Sequence, residues 1–91
     1  MAKNVYLDAS RIKDRLSMSM YMKEIFPLPS YFGNNLDALH DSLIEVKDDV
    51  DLNLSHDCIQ DITASKYAFK VLLVLGRCAD ENPHIRIHFC E

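Results

Sequence analysis

Ninety-one residues, 48% of them hydrophobic, are enough for one domain with one core, spanning 1–91, and leave only a modest stability margin. No apolar run approaches the roughly eighteen residues of a membrane span, and the N-terminus has no signal-peptide pattern. Three cysteines, Cys58, Cys78 and Cys90, lack CxxC spacing, which argues against a disulfide framework and for small buried residues or free thiols of a cytosolic protein.

In chain order, Val5-Tyr6-Leu7 is short and β-prone, giving a first strand at residues 3 to 7. Asp8-Ala9-Ser10 is a turn. A helix follows, capped by either Ser10 or Asp14 and ending near Phe26, with Ile12, Leu16 and Met20, joined by Tyr21 and Ile25, as its apolar stripe. Met18, Met20 and Met22 are read as core filler. Pro27 and Pro29 then exclude helix.

The stretch from Tyr31 to Val46 reads as an aromatic-glycine loop running into an amphipathic helix. Gly33 can supply a turn with positive φ, and Asn34 or Asn35 can cap the helix. Leu36, Leu39, Leu43 and Val46 fall on one side, while Asp37, Asp41 and Glu45 form a row centred on nearly the opposite side. The expectation is one face in the core and a row of carboxylates outside. Such a row is commonly just a solvated face. Here Asp37 and Asp41 are like charges one turn apart with no lysine beside them, and the aromatic pair stands at the positive end of the helix, as interface anchors do.

Further on, Val50, Leu52 and Leu54 alternate with Asp51 and Asn53, which predicts a second strand. His56 to Ile62 is weakly helical, one turn or two. Between Lys66 and Asn82 the polar residues Lys66, Lys70, Arg77 and Glu81 recur at multiples of a turn, which decides for helix over a buried strand at Val71–Leu75. Ser65 or Thr63 can cap it, and Asn82-Pro83 stops it. Gly76 inside it costs about 1 kcal/mol relative to Ala and points to close contact with a neighbour. Ile85, Ile87 and Phe89 alternate with Arg86 and His88 as a last strand. The order β-α-α-β-α-α-β favours a parallel sheet.

The net charge of −4 is segregated. Residues 37–61 hold eight acids against one base, Lys47, a net of −7, and the remainder is +3. An acidic block repels nucleic acid and attracts basic proteins. As acid–base pairs, His40 with Asp41 and His56 with Asp57 are helix neighbours that point about 100° apart. Asp37 with Asp41, or His84, His88 and Cys90, are too few ligands for a metal. No catalytic motif is present.

The run Tyr31-Phe32-Gly33-Asn34-Asn35-Leu36-Asp37-Ala38-Leu39-His40-Asp41 resembles the signature of the barstar family of ribonuclease inhibitors: an aromatic pair, Gly, any residue, then Asn-Leu-Asp-Ala-Leu-Trp-Asp. Leu28-Pro29 ahead of it also fits, and chain length and element order match from end to end. The resemblance implies the barstar-like α/β fold, a small three-stranded parallel sheet packed with four helices. It implies a cytoplasmic inhibitor or immunity protein, neither an enzyme nor a cofactor or metal binder, that occludes the basic active site of a bacterial ribonuclease or ribonuclease toxin. A monomer forming a one-to-one complex is expected, with no nucleic-acid or membrane partner.

By resemblance, Asp41 is the central carboxylate and Asp37 its companion. Tyr31, Gly33, Asn35, Leu36 and Ala38 match other contacting positions, and the contact continues through Ile44 and Glu45. Two positions depart. His40 stands where the family has Trp. Arg77, counted back from Ile85-Arg86-Ile87, stands where barstar itself has a contacting Glu. Both are expected at the interface and suggest a partner other than barnase. The rival expectation is a regulatory interaction module on the same fold with a non-nuclease partner.

Overall fold

The computed structural model describes residues 2–28 and 35–90. The chain runs β1 (Lys3–Tyr6), a 3-10 turn (Ala9–Arg11), α1 (Arg15–Ile25), α2 (Leu36–Leu43), β2 (Val50–Ser55), α3 (His56–Thr63), α4 (Lys66–Glu81) and β3 (Ile85–Cys90). The strands form one sheet in the order β1-β2-β3 with both pairs parallel, Val5 in register with Leu52 and Leu52 with Ile87. This is the expected α/β architecture, three parallel strands and four α-helices.

Each α-helix begins on a side chain that accepts a hydrogen bond from the third backbone N–H beyond it, satisfying a donor the helix leaves unpaired. Asp14 accepts from Ser17, Asn35 from Ala38, Ser55 from Cys58 and Ser65 from Ala68. The alternatives open in the sequence are thereby resolved to Asp14, Asn35 and Ser65. The segment from His56 is a full helix, because Ser55 closes its first turn and Cys58 and Ile62 anchor it in the core.

The core lies on one face of the sheet. Val50, Leu52 and Leu54 are fully buried, with Ile85 beside them and Leu39, Leu43, Ile62, Val71 and Leu75 from the helices above. The opposite face carries Tyr6, Asp51, Asn53, Arg86 and His88, and there Asp51 accepts from Arg86 Nε at 2.7 Å and lies 2.9 Å from His88 Nε2. This pairing holds the Asp51 carboxyl down at about 2. Cys58 and Cys78 are buried, Cys90 is exposed, and all three are free thiols.

Three expectations fail for identifiable reasons. In α1, Leu16 and Met20 are 68% and 59% exposed, while Met18, Tyr21, Met22 and Ile25 face inward. Ile12 is buried, but it sits at the end of the 3-10 turn, ahead of the helix, so its phase does not carry into α1. Second, α2 stops at Leu43, and Val46 reaches the core from a turn. Glu45 is therefore beyond the helix, and the helical carboxylate row is Asp37 and Asp41 alone. Third, Gly76 makes no close contact: a Cβ built there meets nothing within 4 Å.

Candidate partner-binding site

α2 is oriented by what it buries. Leu39 and Leu43 are inaccessible to solvent and Leu36 and Ala38 are half-buried against the core. That leaves Asp37 and Asp41 on the outer face, the Asp41 side chain 81% exposed. Asp37 lies in the first turn, where the partial positive charge of the helix terminus favours a carboxylate. Asn35 closes that turn with a 2.7 Å bond to the Ala38 N–H.

The far end of α2 is clasped by Asn82, the buried residue at the end of α4. Its side-chain amide donates to the Leu43 and Val46 carbonyls, each at 2.8 Å, and its Oδ1 accepts from the His84 N–H at 3.0 Å. One side chain thus ties the end of α2, the end of α4 and the entry to β3. The carbonyls it satisfies belong to the turn that carries Ile44 and Glu45, both exposed.

His40 is tied into the same junction. Its Nε2 lies 2.5 Å from Glu81 Oε2 on α4, its Nδ1 is 3.7 Å from Asp41 Oδ1, and its side chain is only 20% exposed. The imidazole therefore bridges the two helices and keeps an edge at the surface. Beneath it, burial pushes the Cys78 thiol up to about 11, so it stays protonated. Arg77 is exposed on α4 one turn before Glu81, and it lines the groove that α4 forms with β3.

The sequence candidates Asp37, Ala38, His40 and Asp41 thus come together on α2, with Asn35 and Leu36 at its start and Ile44 and Glu45 just past its end. Arg77 stands apart from them, on α4 at the groove shared with β3. Tyr31 and Gly33 lie outside the described residues. Glu81 and Asn82 were legible only as part of a polar stripe and as a helix stop. Their partners are 36 to 41 residues away, and no local pattern reports a contact at that distance.

Of the remaining histidines, His56 lies 3.2 Å from the Gln60 side-chain amide, while His84 and His88 find separate carboxylate partners. His84 lies 2.8 Å from Asp49, whose carboxyl this contact lowers, and His88 shares Asp51 with Arg86. Among the described residues, no three His, Cys, Asp or Glu side chains converge on a point that could hold a metal ion. No helix among them is long and apolar enough to cross a membrane.

What the site offers is a firmly held helix face that carries two exposed carboxylates. A search among curated proteins finds no match to the sequence. A family model does match, described as barstar (barnase inhibitor), over residues 2–81, and the chain therefore belongs to the barstar family.

Proposed function

We propose that this protein inhibits a bacterial ribonuclease or ribonuclease-type toxin in the cytoplasm by occluding its active site, one inhibitor to one enzyme. The family is that of the barnase inhibitor. The observation that carries the proposal is the pair of exposed carboxylates, Asp37 and Asp41, on a helix whose other face buries Leu39 and Leu43 and whose end is clasped by Asn82. A ribonuclease active site holds cationic groups arranged for phosphate. Two carboxylates on a pre-set helix can take the phosphate positions without being cleaved, and a helix already ordered loses little freedom on binding. No catalytic step and no cofactor is involved. The surrounding acidic block steers a basic enzyme, so association slows as salt is raised.

His40 and Arg77 bear on which enzyme. The imidazole is engaged with Glu81 and presents a smaller surface than an indole, and Arg77 is an exposed cation on α4. Both favour a partner whose surface differs from barnase at those two points. A regulatory module with a non-nuclease partner remains the rival, since it would use the same face.

The test is affinity capture from the source lysate with two baits, the wild type and the Asp37→Ala, Asp41→Ala double variant. A ribonuclease held by the wild type and lost by the variant is the expected result. An unrelated protein held equally by both would overturn the assignment of function and of surface together.

A further inference from the structure

The edge of the sheet formed by β3 is unpaired among the described residues, and its backbone polarity can be worked out. The Val50 N–H donates to the His84 carbonyl, so in a parallel ladder the even-numbered residues of β3 face β2. Ile85, Ile87 and Phe89 therefore turn their backbone groups outward. Among the described residues, only the Ile85 N–H of these is occupied, by the Asn82 carbonyl at 3.1 Å. β3 is six residues long, whereas the other edge, β1, has four. A long open edge is a template for another strand unless it is blunted.

The side chains add a surface beside this edge. Phe89 is 69% exposed and Leu73, on α4, is 53% exposed. They line a shallow groove between α4 and β3 together with Ile87, Gly76, Arg77 and Asp80. A Cβ built on Gly76 meets nothing within 4 Å, so the groove is open at that point. An isolated apolar side chain at the surface is ordinary, but several grouped along an unpaired strand edge are not.

We propose that this edge and groove are an interface between two copies of the chain, related by a two-fold axis through Ile87. The occupant must bring an extended strand with free outward groups, an apolar rim and both signs of charge, and the same surface of a second copy supplies all of these. With antiparallel pairing, Ile87 exchanges two hydrogen bonds with its own counterpart, and the Phe89 N–H donates to the free Ile85 carbonyl of the second copy. Ile85, Ile87 and Phe89 then stay on the helix side in both copies. Ile87 lies beside the Gly76–Asp80 turn of α4, so the same axis sets Arg77 of one copy toward Asp80 of the other. Such a self-complementary patch is what a closed two-fold interface requires. The outcome departs from the monomer expected from the sequence. It does not depend on the inhibitor assignment, because the face carrying Asp37 and Asp41 belongs to α2; Arg77 alone bears on both surfaces.

The test is sedimentation equilibrium of the full chain from micromolar to millimolar concentration. The wild type should dimerise reversibly. Phe89→Pro deletes two symmetry-related hydrogen bonds without touching the ladder to β2, so it should weaken the dimer about tenfold or more. Leu73→Lys, at an exposed position that folding does not need, should weaken it as well. Arg77→Asp should weaken it, and adding Asp80→Arg to that variant should restore it. Asp41→Ala should leave it unchanged. If Phe89→Pro loses the far-ultraviolet spectrum of the fold, Phe89→Lys takes its place with the same expected weakening. A wild type monomeric at millimolar concentration, a folded variant at Phe89 that dimerises normally, or a charge swap that restores nothing would overturn the proposal.

Discussion

Replacing Asn82 by alanine tests the clasp that holds α2. The side chain donates two 2.8 Å hydrogen bonds to the Leu43 and Val46 carbonyls and accepts one at 3.0 Å from the His84 N–H. The Leu43 carbonyl keeps the Val46 N–H at 3.2 Å, but the Val46 carbonyl has only Asn82 among the described residues. Three bonds at about 1 kcal/mol net each, with one carbonyl left without its partner, put the expected loss near 3 kcal/mol. That is a large fraction of the roughly 5–15 kcal/mol available to a small domain. Urea unfolding followed by circular dichroism would measure it, with the slope unchanged if the folded state keeps its compactness. Asn82→Asp sharpens the experiment. It keeps the acceptor for His84 but sets a carboxylate against two carbonyls, so at neutral pH it should destabilise at least as much as alanine. A loss under about 1 kcal/mol for alanine, or a wild-type-like aspartate variant, would refute the clasp.

Three further outcomes follow from the same geometry. Asp41→Ala should weaken binding to the captured partner by more than about 2 kcal/mol while leaving unfolding unchanged, as read by calorimetric titration and by melting. Leu39→Ala should lower stability by about 2–5 kcal/mol in urea, because Leu39 is inaccessible to solvent and its removal leaves a cavity under α2. Asp51 has its carboxyl lowered from the ordinary 3.8 to about 2, first by the bond to Arg86 and then by that to His88. A depressed carboxylate contributes stability in full above its unfolded value and loses it as pH falls. Melting temperature should therefore drop between about pH 4 and pH 2, and Asp51→Asn should shrink that drop; an equal drop in both proteins would refute the role of Asp51.

Much of this fold was legible in the chain because the informative patterns are local. Val50, Leu52 and Leu54 alternate with polar residues, and the strand they predict is buried on one face as the alternation requires. The polar recurrence at Lys66, Lys70, Arg77 and Glu81 decided for a helix where five consecutive apolar residues alone could not. Its observed bounds, Lys66–Glu81, fall inside the expected limits. Where the pattern crossed a break in the backbone it misled: counting from Ile12 placed Leu16 and Met20 inward, although the helix begins only at Arg15.

The candidate site divides in the same way. The sequence by itself determined that α2 exists, where it is capped, and that Asp37 and Asp41 share its outer face, since cap chemistry and a 3.6-residue period depend only on near neighbours. Tertiary structure alone decided how that face is held. The meeting of His40 with Glu81, the clasp of Asn82 on Leu43 and Val46, and the release of Glu45 from the helix all depend on α4 packing against α2 across some forty residues of chain. The same holds for the open edge of β3 beside Gly76. A glycine in a helix signals only that no side chain is wanted there, and whether the space is filled by a neighbour or left empty is settled by packing.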